Sequence, residues 1–549
     1  MTTLWFEIIG EGAETVERGE SVAGTPLSDL LRDRGYELAF DCGGRGRCGR
    51  CRVRIEGPAS DSSLSIGREV LACQTRLVAS GLRIDATRLS RGAGLALVGA
   101  ETRRSRATRL QASDLTESER LGGWGVAIDL GTTTLESAFV SQSSGRVYRM
   151  EARRNAQASF GGDVVSRIAH CAADASNVEK LRRLATRGIE SMISSGVAAL
   201  SIKAEQVEEL VVAGNTTMEL LLLGVDPTPL GRAPFHVSER RFSSRSWGEV
   251  EVGSSFSHAR LRVFPVFSAF VGGDVLAGYA VLRRRGAFVR GRTVLFLDVG
   301  TNGESILWRD GRAYATSTAA GPAFEGADIS QGTTATPGAI YRIDADASSG
   351  RWEARTLGDL SARGVCGSGL VDALAACLDF GLIGANGRVA SSAVRARGEA
   401  GIAARLVGSG RDRAVTISNA LEGEGVVRLT QRDVRQAQLA IGAVKTGRRF
   451  LLEAGDARER DLDAAFLAGG FGGALQIDNA RRIGLLPGEV ASSRVAYLGN
   501  ASLEGAIGAL RGEIDWRELA EAIDQVEIVN LATRENFAEV FAKSTIFPE

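Results

Sequence analysis

A chain of 549 residues is too long for one hydrophobic core and predicts about three or four domains. It carries 66 basic and 66 acidic residues, which excludes binding of nucleic acid or of an anionic membrane through a bulk electrostatic field. No apolar run reaches the roughly 20 residues that span a bilayer, and the first residues lack the pattern of a signal peptide, so we expect a cytoplasmic protein.

The first 86 residues predict a small mixed sheet with one helix. Residues 3–9 alternate weakly between apolar and polar side chains, Leu27 to Leu31 begins a short helix, and residues 51–55 alternate again as a strand. Residues 87–122 are rich in Arg, Gly and Ser and show little apolar periodicity. We therefore place a domain at 1–86 and a linker at 87–122.

Four of the seven cysteines lie within the first 73 residues, with the spacing C-x5-C-x2-C-x21-C. This spacing is close to that of plant-type ferredoxins, and a [2Fe-2S] cluster needs four thiolates. The glycines between the first three cysteines would let backbone N–H groups approach sulfur. A zinc site is the alternative, although it normally has paired C-x2-C knuckles. The predicted cluster ligands are Cys42, Cys48, Cys51 and Cys73.

From Trp124 onward, apolar strands that end in glycine-rich turns alternate with helices such as Val178 to Ser195, which is typical of α/β layers. Two segments in this part resemble each other, VAIDLGTTT at 126–134 and LFLDVGTNGE at 295–304. A second pair follows in the same order, VVAGNTTM at 211–218 and FLAGGFGG at 466–473. Two related halves with an insertion in the second are the simplest explanation. We place the middle domain, or first lobe, at 123–290 and the second lobe at 291–549.

The first pair of segments has the pattern of two phosphate-binding hairpins, in which an apolar strand delivers an Asp to a Gly-Thr turn. The glycine lets the backbone approach phosphate oxygens, and the following residues offer N–H and hydroxyl donors. Two such hairpins facing each other would hold the phosphates of ATP, with Asp129 and Asp298 holding Mg²⁺ through its water ligands. The predicted phosphate-binding residues are Gly131, Thr132, Thr133, Thr134, Gly300, Thr301, Asn302 and Gly303.

The segment AGGFGG ends an apolar strand and opens a helix, where backbone can lie against an adenosine. A close packing turn between strand and helix is the alternative. The sequence contains no GxxxxGK[ST], and no GxGxxG follows a strand in the dinucleotide-binding context, which excludes P-loop and Rossmann sites. The predicted adenosine-binding residues are Gly469, Gly470, Phe471, Gly472 and Gly473.

The order of the motifs resembles that of the reductive activators of corrinoid-dependent enzymes. The motifs are CGGRGRCGRC, VAIDLGTTT, AGNTTM, VGGDVLAG, LDVGTNGE, AAGPAFEGADI, GVCGSGLVDA and FLAGGFGG, and they cover nearly the whole chain. The resemblance implies a β-grasp ferredoxin domain and a duplicated α/β ATPase core of the acetate and sugar kinase, Hsp70 and actin type (ASKHA). It also implies the assignments of the cluster cysteines, the two phosphate motifs and the adenosine motif.

The function that the resemblance implies is ATP-dependent electron transfer from the cluster to an inactive Co(II) corrinoid protein of a methyltransferase system, which regenerates Co(I). A reductant or reductase would supply the electron. Family members can act as homodimers, which this sequence neither supports nor excludes.

Three other functions are compatible with the motifs. The chain could be a small-molecule kinase with a redox-sensing ferredoxin domain, but no substrate base is evident beyond the two phosphate aspartates. It could be a nonenzymatic binding protein that uses nucleotide as a switch. The third is an ATP-driven activator of a non-corrinoid radical enzyme, although such activators usually hold a [4Fe-4S] cluster across a dimer.

Overall fold

The computed structural model describes residues 3–9, 16–27, 30–31, 52–57, 68–72, 74–86, 115–149, 152–160, 163–326, 328–333, 335–390, 400–469, 471 and 475–548. The chain divides into two compact units, Met1–Gly99 and Ala100–Glu549. Among the described residues, no helix is both long enough and apolar enough to cross a membrane.

In the described part of the N-terminal unit, five strands form one mixed sheet. Its strands are β1 (Thr3–Ile9), β2 (Val16–Val22), β3 (Arg52–Glu56), β4 (Arg68–Leu71) and β5 (Leu82–Asp85). They follow the order β2-β1-β5-β3-β4, with β1 antiparallel to β2 and parallel to β5. This is the β-grasp arrangement that the motif resemblance implied.

Alternate residues of these strands form the core of the unit, because successive side chains of a strand point to opposite faces. Phe6 and Ile8 of β1 pack with Leu82 and Ile84 of β5, and all four are buried. The predicted short helix supplies Leu27, Leu30 and Leu31 to the same core, at the spacing of one helical face.

The Ala100–Glu549 unit contains two large sheets, of which the first lies in the first half of the unit. Its strands are β6 (Trp124–Leu130), β7 (Thr134–Ser141), β8 (Val147–Arg149), β9 (Arg153–Arg154), β10 (Val207–Gly214), β11 (Arg245–Ser246) and β12 (Arg260–Val263). They follow the order β11-β12-β10-β6-β7-β8, and β9 pairs with β7.

The second half of the unit contains the other large sheet and two small ones. The strands of all three are β13 (Thr293–Val299), β14 (Gly303–Arg309), β15 (Arg312–Thr318), β16 (Ala339–Asp346), β17 (Arg351–Thr356), β18 (Gly364–Val365), β19 (Leu406–Val407), β20 (Ala414–Thr416), β21 (Arg428–Thr430), β22 (Ala464–Ala468), β23 (Val495–Gly499) and β24 (Val526–Ile528). The large sheet has the order β23-β22-β13-β14-β15-β24, and the small ones have the orders β17-β16-β18 and β19-β20-β21.

The two large sheets repeat one topology. In the first, β12-β10-β6-β7-β8 consists of a parallel part, β12-β10-β6, and an antiparallel part, β6-β7-β8. In the second, β23-β22-β13-β14-β15 has the same order and the same strand directions. The predicted duplication is confirmed, and strands β16 to β21 form the insertion in the second half.

The helices of this unit cover the sheets. They are α1 (Glu117–Leu121), α2 (Val164–Ala173), α3 (Ser176–Leu200), α4 (Thr216–Leu222), α5 (Trp247–Val250), α6 (Gly273–Arg284), α7 (Gly367–Asp379), α8 (Ala400–Ala403), α9 (Gln431–Ala454), α10 (Ile477–Arg482), α11 (Ala501–Leu510), α12 (Trp516–Gln525) and α13 (Phe537–Ser544). The helix expected at Val178 to Ser195 lies within α3.

Helices α6 and α11 cross between the two halves. A Cβ atom on Gly505 of α11 would lie 2.5 Å from the Cβ atom of Ala277 in α6, so the two helix backbones approach closely. The side chain of Leu510 in α11 packs against Gly125 of β6, and Gly278 of α6 packs against Phe296 of β13. Each half therefore contributes one helix to the contact with the other half.

Residues 115–122, the end of the segment predicted as a linker, are folded onto the first large sheet. Thr116 and Glu119 form a capping box at the start of α1, and the Trp124 indole N–H donates to the Glu119 carbonyl at 3.1 Å. The Glu119 side chain is fully buried, where Ser144 Oγ donates to it at 2.6 Å and Arg146 lies 3.1 Å away. Burial raises the pKa of Glu119, but the hydrogen bonds and Arg146 outweigh burial and lower it.

Candidate nucleotide-binding site

The first predicted phosphate hairpin is the turn between β6 and β7. Strand β6 ends with Asp129 and Leu130, and β7 begins at Thr134. Asn155 holds this turn, since its Nδ2 donates to the Gly131 carbonyl and its backbone N–H donates to the Thr133 carbonyl, both at 2.8 Å. Both hydrogen bonds therefore use carbonyl oxygens of the turn. A turn that binds phosphate needs its N–H groups for the ligand, so this arrangement suits phosphate binding.

Thr132, at the centre of this turn, is buried against the AGNTTM segment. Asn215 of that segment donates from Nδ2 to Thr132 Oγ1 at 2.8 Å, and it also caps α4. The guanidinium of Arg167 donates to the Thr132 carbonyl. Burial lowers the pKa of Arg167 to about 10, so this guanidinium is still charged at neutral pH. Contacts from the AGNTTM segment and from α2 therefore fix the position of the first hairpin.

Asp129 is held by donors from the second half of the chain. Asn500 Nδ2 donates to Asp129 Oδ2 at 2.7 Å and to Glu136 Oε2 at 3.1 Å, and Ser502 Oγ donates to Asp129 Oδ1 at 2.9 Å. Asn500 is the N-cap of α11, and Ser502 is the second residue of that helix. Both oxygens of the Asp129 carboxylate therefore have a fixed partner.

The second predicted hairpin is the turn between β13 and β14. Strand β13 ends with Asp298 and Val299, and the turn runs from Gly300 to Asn302. Thr301 Oγ1 donates to Glu325 Oε1 at 2.9 Å, and the Thr301 carbonyl accepts from the Gly321 N–H at 2.8 Å. Gly321 and Glu325 belong to the AAGPAFEGADI segment, which therefore supports the second hairpin.

The structure brings the two hairpins together. Thr133 Oγ1 and Thr301 Oγ1 lie 3.5 Å apart, although 168 residues separate them in sequence. The two predicted phosphate-binding turns therefore meet at the junction of the two halves, which is called the cleft below. A ligand between the hairpins would meet the Gly-Thr turn of each half.

Carboxylates of like charge face each other at both hairpins. The strand register sets Glu136 directly opposite Asp129 and Glu304 directly opposite Asp298, and Asp274 of α6 interacts with both aspartates. Directly opposed like charges destabilise a sheet. Because this destabilising pair of like charges occurs in both halves, it indicates that the cleft is suited to a positively charged ligand.

The pKa values of these carboxyl groups are raised, as repulsion between like charges requires. Burial, and then the charges of Asp274 and Glu325, together raise the pKa of Asp298 to about 7. Burial and then Glu136 raise the pKa of Asp129 well above its usual value, against the hydrogen bonds from Asn500 and Ser502. Burial, Asp274 and Asp298 likewise raise the pKa of Glu304. A bound cation would offset this repulsion.

The donor set fits a hydrated magnesium ion. Within the part of the chain that the structure describes, no three His, Cys, Asp or Glu side chains are grouped closely enough to ligate a metal ion directly. Mg²⁺ retains several water ligands in most protein sites. Carboxylates spread around the cleft suit contacts through those waters.

Gly469 and Phe471 of the predicted adenosine motif lie beside the second hairpin. Gly469 has φ +128°, and a Cβ atom there would lie 2.1 Å from the Val299 carbonyl oxygen, so only glycine fits. Tyr497 donates from its hydroxyl to the Gly469 carbonyl at 2.6 Å, and the Phe471 carbonyl accepts from the Ser368 N–H at 3.1 Å. Gly470, Gly472 and Gly473 lie outside the described residues.

The GVCGSG and AAGPAFEGADI segments also reach this motif. Phe471 is fully buried, and its ring centroid lies 5.5 Å from that of Phe324, in AAGPAFEGADI. Gly367, in GVCGSG, packs against the Phe324 carbonyl. Three motifs distant in sequence therefore share one packing centre next to the cleft.

All four predicted cluster ligands, Cys42, Cys48, Cys51 and Cys73, lie outside the described residues. Two of them have described neighbours in sequence, Arg52 and Ala72. Arg52 at the start of β3 pairs with Leu71 at the end of β4, so Arg52 and Ala72 lie at the same end of this strand pair. The two described residues that adjoin Cys51 and Cys73 in sequence therefore lie close together.

Several site residues were not predicted from the sequence. They are Glu136, Asp274, Glu304, Glu325, Asn500 and Ser502, which surround the two aspartates. A signal for two of them was present, because an acidic residue follows each Gly-Thr turn at the start of the next strand. Asn500 and Ser502 carry no such signal, since only the packing of α11 on β6 brings them to Asp129.

The duplicated sheets, the paired hairpins and the crossing helices define an actin-like core of the ASKHA class, here on a chain that begins with a β-grasp unit. Three family models agree. They are a 2Fe-2S iron-sulfur cluster binding domain at residues 13–78, the RACo middle region at 124–283, and the C-terminal domain of RACo, the ASKHA domain, at 292–549.

Individual relatives agree as well. The corrinoid activation enzyme RamQ of Eubacterium limosum is 30% identical over 429 residues, which are 77% of this chain and 70% of that protein. The [Co(II) methylated amine-specific corrinoid protein] reductase of Methanosarcina barkeri is 24% identical over 408 residues, or 69% and 68% of the two chains. The solved structure of a reductive activator for corrinoid, iron-sulfur protein is 25% identical, with TM-score 0.71 over 99% of this chain and 98% of that one. The chain belongs to the RACo family of reductive activators of corrinoid proteins.

Proposed function

We propose that this protein is an ATP-dependent reductive activator, which passes an electron from a [2Fe-2S] cluster to the Co(II) corrinoid of a partner protein and so regenerates Co(I). The observation that carries the proposal is the meeting of the two phosphate hairpins, Thr133 to Thr301, on a chain whose first domain matches 2Fe-2S proteins. The relatives named above act on corrinoid proteins, as their names state.

ATP would bind between the hairpins. The turns of Gly131 to Thr134 and Gly300 to Gly303 would hold its phosphates, and the segment from Gly469 to Gly473 would lie against its adenosine. Asp129 and Asp298 would hold Mg²⁺ through water. The raised pKa of Asp298 supports this assignment, because a group that is costly to ionise in the free protein gains most from a cation.

The [2Fe-2S] cluster would be held by Cys42, Cys48, Cys51 and Cys73. A bound cluster of this kind supplies a one-electron carrier with a potential of about −400 mV in plant-type ferredoxins. The chain would hold the cluster through these four thiolates and present the domain to a reductant and to the corrinoid protein.

The reason for coupling to ATP is energetic. Co(II) in a corrinoid is hard to reduce, and each 59 mV of an uphill one-electron transfer costs about 1.4 kcal/mol. A gap of a few tenths of a volt, roughly 5 to 10 kcal/mol, is therefore comparable with the free energy of ATP hydrolysis. ATP can supply it only if the ATP-bound and free forms of the chain bind the corrinoid protein differently. The crossing helices α6 and α11 join both hairpins and are suited to transmit such a change.

The test is the ultraviolet-visible spectrum of a purified Co(II) corrinoid protein, to which this protein, a reductant and MgATP are added in turn without oxygen. We expect the Co(I) band only after the last addition. Co(I) at the same rate without MgATP would contradict the proposal.

A second experiment tests the cluster assignment. Cys48→Ser should remove the visible absorption of the cluster and lower the iron content, because one of four ligands is lost. Cys171→Ser is the matched control, since Cys171 is a buried thiol of the other unit whose pKa burial raises to about 11. Unchanged iron and spectrum in Cys48→Ser would refute the ligand set.

A further inference from the structure

Two threonines, Thr132 and Thr301, occupy equivalent positions in the two hairpins. Each follows the glycine of its Gly-Thr turn, and each is buried. At the first hairpin, Thr132 Oγ1 accepts a hydrogen bond from Asn215 Nδ2 at 2.8 Å. A hydroxyl carries one donor hydrogen and two lone pairs. The contact with Asn215 therefore leaves the hydrogen of the Thr132 hydroxyl for another acceptor, such as a phosphate oxygen.

The hydroxyl of Thr301 is used in the opposite sense, because it donates to Glu325 Oε1 at 2.9 Å. An ionised carboxylate has no hydrogen to give, so the single hydrogen of the Thr301 hydroxyl is directed to Glu325. In the 3.5 Å contact between the two hairpins, Thr133 must then be the donor and Thr301 the acceptor. The hydroxyls of Thr133 and Thr301 therefore form a chain of hydrogen bonds that ends on Glu325.

The Glu325 carboxylate lies against the second phosphate turn. A Cβ atom on Gly300 would lie 3.1 Å from Glu325 Oε1, so one oxygen reaches both Gly300 and Thr301. The negative charge of Glu325 also raises the pKa of Asp298, which lies two residues before Gly300. Glu325 therefore brings an anionic oxygen to the turn where the proposed function places a phosphate oxygen.

The backbone on both sides of Glu325 is anchored, whereas the Glu325 side chain is half-buried. Phe324 is buried, and its ring centroid lies 5.5 Å from that of Phe471. Gly326 has φ +86°, and a Cβ atom there would lie 2.5 Å from the carbonyl carbon of Thr333, so this position requires glycine. Displacement of the carboxylate therefore needs rotation of the Glu325 side chain and no rearrangement of the backbone.

We propose that Glu325 is an autoinhibitory carboxylate that occupies the second phosphate turn until nucleotide displaces it, an inference that rests on the proposed function. A phosphate oxygen is an acceptor, so it competes with the carboxylate for the Thr301 hydroxyl. The two anions also repel each other, so bound ATP turns Glu325 away from the turn. Mg²⁺ weakens this repulsion because it neutralises part of the phosphate charge. Glu325 therefore makes the site selective for MgATP over metal-free ATP.

The experiment measures the affinity of the full-length protein for a fluorescent ATP analogue, once with Mg²⁺ and once with a chelator. Glu325→Gln removes the charge, and its amide can donate to Thr301 as Asn215 does to Thr132. It should tighten binding about threefold with Mg²⁺ and about tenfold or more without it, because the lost repulsion is largest where no cation offsets it. Glu325→Ala should change both affinities in the same direction.

Glu422→Gln is the control, since Glu422 is an exposed acid between β20 and β21, and it should leave both affinities unchanged. Unchanged or weaker binding by Glu325→Gln, or an equal gain with and without Mg²⁺, would overturn the inference. If the unsubstituted protein still formed Co(I) only with MgATP, the proposed function would survive that result. If the unsubstituted protein bound no nucleotide, the proposed function and this inference would fall together. Thermal unfolding of each variant shows whether it is folded.

Discussion

The two phosphate hairpins share one backbone plan but lie in different electrostatic surroundings. At the first hairpin, both oxygens of Asp129 accept hydrogen bonds, from Asn500 and Ser502. At the second, Asp298 is surrounded by the charges of Asp274 and Glu325, with Glu304 opposite it in the sheet. Duplication thus preserved the topology while the residues around each aspartate diverged.

The difference suggests a division of labour. A carboxylate with fixed donors is held in one orientation and is suited to binding. Burial and like charges raise the pKa of both aspartates, so both would gain from a bound cation. Because Asn500 and Ser502 already hold Asp129, we expect Asp298 to make the more important contact with Mg²⁺ and the reacting phosphate. The predictions below test this division.

The largest effect is expected at the second hairpin. Asp298→Asn should lower phosphate release from MgATP about 1,000-fold, because the carboxylate that faces the ion loses its charge, and metal-ion catalysis contributes several kcal/mol. Asp129→Asn should lower it about tenfold, because the amide oxygen can still accept one of the two hydrogen bonds. An equal loss in both variants, or a larger loss in Asp129→Asn, would contradict the division of labour.

A smaller effect is expected from the donors to the first hairpin. Ser502→Ala removes one hydrogen bond to a charged group, worth about 1.5 to 3 kcal/mol, and should weaken MgATP binding by at least about tenfold. Isothermal titration calorimetry measures the affinity. Ser195→Ala, on the exposed face of α3, should leave it unchanged. Unaltered affinity in Ser502→Ala would show that the hydrogen bond from α11 to Asp129 does not contribute to MgATP binding.

The stability of the nucleotide-free protein should depend on pH through the second hairpin. The pKa of Asp298 is about 7 in the folded protein against an ordinary value of 3.8, so the folded chain holds a proton that the unfolded chain has released. The contribution of Asp298 to the free energy of unfolding should therefore fall as the pH rises from about 4 to about 7, by up to about 1.4 kcal/mol per pH unit, and change little above pH 7.

Urea unfolding in the presence of a chelator, at several pH values, measures this dependence. Asp298→Asn should make the dependence less steep, because the amide does not titrate, while the part that comes from Asp129 and Glu304 remains. An identical slope in Asp298→Asn and in the original protein would show that this carboxyl is not the source.

The smallest effect concerns the contact between the hairpins. Thr301→Val should destabilise the protein by about 1 kcal/mol, because it removes the hydrogen bond to Glu325 as well as the contact with Thr133. Thr133→Val loses only the 3.5 Å contact and should cost less. Chemical denaturation compares the two. A larger loss of stability in Thr133→Val than in Thr301→Val would contradict this expectation.

Much of this site could be predicted from sequence because its parts are local. An apolar strand, an Asp and a Gly-Thr turn are consecutive residues, so both hairpins were visible, and their repetition predicted two matching halves. The partners of Asp129 were not visible, because Asn500 and Ser502 reach it only through the packing of α11 on β6. Asp274 stood in a recognised motif, VGGDVLAG, but its interaction with both aspartates is not visible in the sequence, because the two aspartates belong to different halves.

In the ferredoxin unit, the sequence predicted more about the site than the described residues show. Its cysteine spacing predicted a cluster from sequence alone, and the β-grasp sheet agrees with that prediction, but the four ligands themselves lie outside the described residues. The cluster assignment therefore depends on chemistry and on the match to 2Fe-2S proteins.

The central claim is that ATP turnover in the cleft drives the electron to cobalt. Its most direct test records Co(I) absorbance and phosphate release together, in one oxygen-free reaction with a weak reductant, for the original protein and for Asp298→Asn. We predict that both signals rise together in the original protein and that both are lost in the variant. Full-rate Co(I) formation by Asp298→Asn without phosphate release would contradict the claim.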